Sequence, residues 1–469
     1  MSEVQALFSV LRQTADPPVA DAIQRLVETG ADRDLNRINL LDFSRKTGLP
    51  EERVIAGFLH ASRLGLFDLT WNVLCPGCSG VLDAHSTLKS LRHDDYNCAL
   101  CAAGYEASVD DYVEAAFTIS PRVRRIAAHD PNTLPLWEYA QRIFGSSGIE
   151  IDDESFSRLI EEVTLDAIEL PPGEKAVLSL QLPNQFCIVF EPVTHSAQFL
   201  SISGEPTRER QHLSVIFTRQ HAPTGTVEMR PGPLRLTLEN QSDVRVLPSV
   251  WVAGDALHEL LGKRKPILTA KRVLANQTFR DVYKADNLNI DQRLKITSLT
   301  FLFTDLKGST ALYERVGDLA AFDLVRAHFH ALLEIISSEA GAVVKTIGDA
   351  VMATFVRPEQ ALAAGLRMRA AMDALNAQRG TKDLVLKIGI HEGPCLAVML
   401  NERQDYFGQT VNIASRVQGL SMDQAIHVTG PVIETPEVAD ILSKASITPI
   451  RKHAALRGIT DKVVVFEIP

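Results

Sequence analysis

The chain has 469 residues, 45% of them hydrophobic and 23% charged, which is too long for one ordinary domain and suits two to four units that each bury a core. Its apolar stretches fall far short of the roughly 20 residues a bilayer-spanning helix needs, so no membrane span is expected. A formal charge of −10 opposes a long, sequence-independent grip on nucleic acid.

Met1–Leu7 include Glu3 and lack a basic segment followed by an apolar run, so no secretory signal is expected and a cytoplasmic location is. Residues 1–70 read as short helices: Leu40–Thr47, a turn at Gly48, then a helix opened by Pro50 with Val54, Ile55, Phe58 and Leu59 on one face. That is a helix-turn-helix outline, winged by a strand near Leu66–Leu74. DNA binding is not expected of it. Its second helix begins with Glu51 and Glu52, which phosphates would repel, and a protein-interaction or dimer-building role suits it better.

Residues 71–117 carry Cys75-Pro-Gly-Cys78 and, nineteen residues on, Cys98-Ala-Leu-Cys101. Two such pairs argue against a disulfide scaffold and for a ribbon in which four thiolates surround a structural zinc ion. Cys187 and Cys395, each alone in an apolar run, read as packed thiols. Residues 118–165 form a helical connector that includes Trp137–Phe144. Residues 166–255 read as short strands at Ala176–Leu182, Phe186–Phe190, Phe199–Ile202, His212–Thr218, Leu234–Leu238 and Val244–Val252, a run suited to a β-sandwich-like domain. Residues 256–295 are polar and partly helical, and form a coupling linker.

In residues 296–469 strand and helix patterns mix. Strand Ser298–Phe303 ends at Asp305-Leu306-Lys307-Gly308, and Ala342–Thr346 with Ala350–Phe355 form a hairpin whose turn holds Gly348-Asp349. Two carboxylates on neighbouring strand ends, with the Leu306 carbonyl, suit one or two Mg²⁺ ions, which prefer hard oxygen ligands. Gly308 leaves room for a triphosphate beside the backbone. Taken singly, each feature is also what an ordinary turn looks like. Beyond a strand at Val385–His391 comes Asp405-Tyr-Phe-Gly408, then Asn412 and Arg416. If Thr410–Leu420 is a helix these two share a face, where an amide can orient a ribose and a guanidinium can grip phosphate.

Together, Phe-Thr-Asp305-Leu-x-Gly-Ser-Thr, Lys345-Thr-Ile-Gly-Asp349 and Asp405-Tyr-Phe-Gly-x-x-Val-Asn412-x-Ala-x-Arg416 resemble the signature set of class III adenylate cyclases. The resemblance covers roughly the last 170 residues. It implies a multidomain α+β chain ending in a ferredoxin-like βαββαβ catalytic domain, with two Mg²⁺ (or Mn²⁺) ions per site held by Asp305, Leu306 and Asp349. It also implies a homodimer in which Lys345, Asp405, Asn412 and Arg416 come from the partner chain. Base choice follows physically: Asp405 can accept from the adenine amine and Lys345 can donate to the ring nitrogen, whereas guanine presents the reverse order. Cytosine shows the same pair as adenine, so CTP stays open. The expected reaction is ATP to 3′,5′-cyclic AMP and pyrophosphate. The alternatives are a cyclase of another base and a nucleotide-sensing protein without turnover.

Family members often carry a phosphate-binding lysine near the C-terminus; Arg457 and Lys462 are both in reach of that role, and an exposed hairpin charge is as good a reading of either. His391 reads as structural. The front half resembles the long N-terminal regulatory regions of bacterial cyclases, with a regulatory protein or a small-molecule ligand as its input.

Overall fold

The computed structural model describes residues 3–91, 95–106, 110–150, 153–219, 225–283, 293–308, 314–400, 403–421, 424–459 and 462–469. The chain divides into two compact units. One comprises Met1–Ser86, Ser90–Ala107 and Tyr112–Leu268; the other comprises Thr269–Pro469 with the short segments Thr87–Lys89 and Ser108–Asp111.

In the first unit, helix Leu40–Thr47 is capped by Asn39, whose side chain accepts from the amides of Leu41 and Asp42, and it stops at Gly48 in the left-handed conformation (φ 69°). Helix Glu51–Arg63 follows Pro50. The helix, turn and helix stand where the spacing predicts them. Two further helices, Glu3–Thr14 and Pro17–Thr29, precede them. Phe58 is fully buried and its ring meets Phe43, Phe67 and Phe117 at centroid distances of 5.3, 5.1 and 5.6 Å, tying the helices to a sheet of Val81–His85, Phe67–Leu74 and Val113–Ile119. Phe67 pairs with Ile119 and Val73 with Val113, so this strand runs on through residue 70.

The strand-rich block forms two sheets. Gln211–Phe217, Gly232–Asn240 and Lys175–Leu182 make one; Thr226–Met229, Ser196–Ile202, Cys187–Glu191, Ser249–Val252 and Thr164–Ala167 make the other. Leu234, Leu236 and Leu238 alternate along one strand and pack with Cys187, Val189, Leu200 and Val250 of the opposite sheet, so the two sheets share one core.

The second unit is built on a mixed sheet in the order Ala342–Ile347, Ala350–Phe355, Leu294–Leu306, Leu386–Leu400, Ile426–Thr429, Val463–Ile468 and Ile450–Ala454, with Arg403–Phe407 paired to the far half of Leu386–Leu400. Counting from Leu294–Leu306, its first four strands stand in the order fourth, first, third, second, which is the expected βαββαβ arrangement. The connecting helices, Asp318–Ser338 and Pro358–Arg379, cover one face: Leu302, Ile388 and Ile390 pack with Leu332, Ile336 and Met368. Odd-numbered residues of Leu386–Leu400 face the other way. There Gly389 and Gly393 let helix Gln409–Gln418 lie close, since a Cβ at Gly389 would sit 2.1 Å from the Gln418 amide nitrogen and one at Gly393 2.9 Å from the Thr410 hydroxyl. Of the 256–295 segment, helix Asp255–Gly262 folds with the first unit, helices Ala270–Leu274 and Gln277–Val282 fold with the second, and 284–292 lie outside the described residues. Among the described residues no helix is long and apolar enough to cross a membrane.

Candidate active site

Asp305 lies one residue from the end of strand Leu294–Leu306, and Asp349 sits in the two-residue turn between Ile347 and Ala350. The antiparallel register sets Thr304 across from Val351, and the Thr304 hydroxyl accepts from the Val351 amide at 3.2 Å. The two carboxylates therefore leave the same end of adjacent strands. Gly348 (φ 62°) makes the tight turn, and Gly308 (φ 71°) has only open space where a Cβ would stand, so its conformation, not clearance within the chain, calls for glycine. Ser309 and Thr310 of the motif lie outside the described residues.

Asp305 Oδ2 takes a bond from Lys387 Nζ at 3.3 Å, while the buried Asp349 Oδ2 has no hydrogen-bond partner among the described residues. An orphaned carboxylate oxygen next to a second carboxylate and a strand-end carbonyl is a donor set that fits a hard divalent cation. His328, on the first long helix, is also near: burial drives its pKa down to about 4 against the opposing pull of the Asp349 charge, and neither ring nitrogen has a hydrogen-bond partner among the described residues.

Lys345 and Asp405 meet directly, Nζ to Oδ2 at 2.5 Å. They come from strands 60 residues apart in sequence, and Asp405, with its side chain only 11% exposed, also accepts from the Tyr406 amide at 2.8 Å. Strand alternation turns Gln404 and Tyr406 the other way, where both reach the Leu274 carbonyl, at 3.4 and 3.3 Å. Next along the chain, Arg280 donates to the carbonyls of Val343 (3.1 Å), Val344 (3.3 Å) and Gln404 (2.7 Å), and the Gln277 side chain accepts from the Val343 amide at 2.8 Å. The strands bearing Lys345 and Asp405 are thus clamped by one guanidinium. A recess of about 290 Å³ beside the clamp is lined by Gln277, Arg280, Lys345, Thr346 and Arg403.

Asn412 and Arg416 share one face of helix Gln409–Gln418, the first exposed and the second half-buried. Thr410 anchors the helix start to the Pro394 carbonyl at 2.5 Å. Val417 packs with Leu456 and Val465, and Gly458 (φ 74°) lies beside the Arg416 guanidinium, where a Cβ would be in ordinary contact, 3.4 Å from Nη2. Among the described residues no hydrogen bond or ion pair joins Asp305 or Asp349 to Asn412 or Arg416. Arg457 lies in the same C-terminal turn as Gly458. His391 is buried and bonds the Thr429 hydroxyl through Nδ1 at 2.7 Å, in keeping with a structural role. Spacing offered no sign of Lys387, His328, Arg280 or Gly458; only the strand alternation that puts Lys387 opposite Asp305 carried a hint.

In the first unit the Sγ atoms of Cys75, Cys78, Cys98 and Cys101 all lie within 4.8 Å of one another. Cys75 to Cys101 is 3.6 Å and Cys78 to Cys98 is 3.7 Å, close to the edge of about 3.8 Å that follows from a tetrahedron of zinc–sulfur bonds. The amides of Gly77 and Gly80 donate to the sulfurs of Cys75 and Cys78 at 3.3 and 3.4 Å, and a Cβ on Gly77 would meet Cys101 Sγ at 2.7 Å. Cys187 and Cys395 are packed thiols; burial pushes them up to about 11 and about 12.

Residues 292–466 match the adenylate and guanylate cyclase catalytic domain, which makes the second unit a class III cyclase domain. Residues 1–281, more than half of the chain, match a family of unknown function (DUF5939), and the chain belongs to that family. Its C-terminal part is similar to an adenylate cyclase of Anabaena cylindrica (28% identity over 186 residues, 36% of this chain and 36% of the relative) and to adenylate cyclase 2 of Rhizobium meliloti (33% over 132 residues, 26% of this chain and 36% of the relative). The chain thus spans about a third of the length of these relatives. A similar solved structure is that of the adenylyl cyclase CyaB from P. aeruginosa, at 26% identity and a TM-score of 0.34, covering 38% of this chain and 96% of that one.

Proposed function

We propose that the chain is an adenylate cyclase that converts ATP to 3′,5′-cyclic AMP and pyrophosphate as a homodimer. The observation that carries this reading is that one domain presents both halves of a site: a carboxylate edge at Asp305 and Asp349, and a preformed Lys345–Asp405 pair at 2.5 Å. Asp405 accepts from the adenine amine and Lys345 donates to the ring nitrogen, in an order guanine does not match. Asn412 orients the ribose, and Arg416, beside Gly458, meets the charge that grows on the α-phosphate. Asp305, Asp349 and the Leu306 carbonyl would hold divalent cations, Mg²⁺ or Mn²⁺, which supply charge neutralisation at the triphosphate and a more acidic 3′ hydroxyl. No side chain serves as general base in this reading.

Since no hydrogen bond or ion pair among the described residues joins the two sets within one chain, the partner's copy of the Asn412 helix would complete each site. Exposed apolar side chains support such pairing: Ile347 and Phe407, 54% and 65% exposed, flank Lys345 and Asp405, and Leu319 and Phe322 stand out at 81% and 59%. Residues 269–283 act as the coupling element, because Arg280 and Gln277 bond the strands that read the base. The cysteine quartet holds a structural zinc with no open position. One zinc per chain, lost in Cys78→Ser with a lower melting temperature, is the expected metal analysis; zinc-free wild type would overturn it.

One observation favours a second reading, nucleotide sensing without turnover: Lys387 already neutralises Asp305. Chromatography of products after incubation with Mg²⁺ and each of ATP, GTP, CTP and UTP separates the two. Cyclic AMP from wild type and none from Asp305→Ala is expected. A different cyclic nucleotide overturns the base assignment, and no product with Mg²⁺ or Mn²⁺ favours sensing.

A further inference from the structure

The first unit contains a cavity of about 760 Å³, within the range of roughly 300–1,000 Å³ that small-molecule sites occupy. Six cations line it: Arg25, Arg33, Arg37, Lys46, Arg142 and Lys265. The carboxylates among its lining residues are Asp34 and Asp42, and just outside the lining Glu138 lies 3.1 Å from Arg142 and Glu150 3.9 Å from Lys265, so six cations face four carboxylates, a surplus of two positive charges in a chain whose formal charge is −10. Asp42 is already engaged, by Arg45 at 2.5 Å, Lys46 at 2.9 Å and Lys265 at 3.9 Å. Concentrating like charge in a concave space costs stability unless an anion meets it.

Two local features hold the cations there. Arg37 adopts a left-handed backbone (φ 45°), rare for a non-glycine residue, and its Nη1 is fixed by the carbonyls of Ile143 and Gly145 at 2.7 and 2.8 Å. Those carbonyls belong to the end of a π-helical turn, Ala140–Phe144, a rare conformation that recurs at functional sites. Arg142, on the same turn, lies 3.1 Å from Glu138, yet its buried Nη1 has no hydrogen-bond acceptor among the described residues. A buried guanidinium nitrogen left unpaired is a donor awaiting a partner.

We propose that this cavity binds a small organic phosphate of about mononucleotide size. Arginines favour phosphate because their planar forks match its oxygens. The cations converge from separate segments, near residues 25, 33–46, 142 and 265, onto one concavity rather than lining a ridge that a nucleic-acid backbone could follow. Phe43, Ile38 and Ile149, also in the lining, give an organic ring an apolar surface. The site lies in the unit without the cyclase residues, so it stands independently of the catalytic reading.

The test is calorimetric titration of the full-length protein, without added divalent cation, with AMP, ATP and inorganic pyrophosphate as probes. Arg25 and Lys46 are both exposed, so R25E/K46E is expected to fold, with an unchanged circular dichroism spectrum. Binding of AMP or ATP by wild type, weakened at least about tenfold in R25E/K46E and in Arg142→Gln but unchanged in Lys345→Ala, is the expected result. Three outcomes would overturn the proposal: no binding of any probe up to millimolar concentration, binding of pyrophosphate alone, or nucleotide binding that survives the cavity variants and is lost in Lys345→Ala.

Discussion

Asp349 and His391 show how far a single side chain can be predicted from its surroundings. The buried Asp349 Oδ2, without a hydrogen-bond partner among the described residues, stands on the strand end next to that of Asp305, and removing either carboxylate would take away a proposed cation ligand and leave Lys387 or His328 facing a gap. Asp349→Ala is expected to lower Mg²⁺-dependent turnover at least about 100-fold while the gel-filtration volume stays that of wild type. His391 tests the protonation side. Burial lowers its pKa from 6.5 to about 4, so the folded state favours the neutral ring and the unfolded state binds the extra proton between those values. That stability is fully present above about pH 6.5 and is lost as pH falls towards 4, with an upper magnitude of about 3 kcal/mol. His391→Asn, which can keep a bond to Thr429, should flatten the fall in denaturant midpoint over that window; an unchanged slope would place the titration elsewhere.

Elements decide which residues the sequence could reveal. The hairpin around Gly348, the strand ending at Asp305 and the helix of Asn412 and Arg416 were legible because each motif is short and its chemistry repeats at strand or helix spacing. Arg280 was not. Its bond to the Gln404 carbonyl spans 124 residues, and an arginine in a polar helix of six residues resembles any solvated side chain until the fold brings three carbonyls to it. Gly389 and Gly393 were missed for a related reason, since the need for glycine is set by a helix that arrives some twenty residues later. Strand extents were also underestimated: Leu294–Leu306 and Leu386–Leu400 run beyond the apolar cores that marked them, because pairing continues where only one face is buried. The clamp leads to a sharp expectation. Arg280→Ala should lower the ratio of kcat/KM for ATP over GTP by roughly tenfold, as Lys345 and Asp405 lose their fixed separation, and Arg280→Lys should recover part of it. Equal losses for both nucleotides would make the clamp a support for the fold alone.

On the scale of the whole molecule, no hydrogen bond or ion pair among the described residues joins the two sets of site residues within one chain, and the proposed shared site would make activity depend on a second copy. Phe407→Glu should then shift the protein towards monomer in sedimentation velocity and lower activity in step, with activity rising steeply as concentration is raised; a fully active monomer would refute the shared site. The front half was legible as segments, with helices, cysteine pairs and strands in order, but not as units, because the pairing of Phe67–Leu74 with Val113–Ile119 joins stretches that look separate in sequence.

The compact units part at residues 268 and 269, whereas the N-terminal family extends to 281 and the catalytic family begins at 292. Residues 269–281 are therefore inherited with the front half yet folded with the back. A chimera joined at the family border would give the catalytic unit a foreign clamp, while one joined at 268 would keep Gln277 and Arg280 with the strands they fit. A front half exchanged between relatives would bring its own copy of the piece that bonds the strands of Lys345 and Asp405.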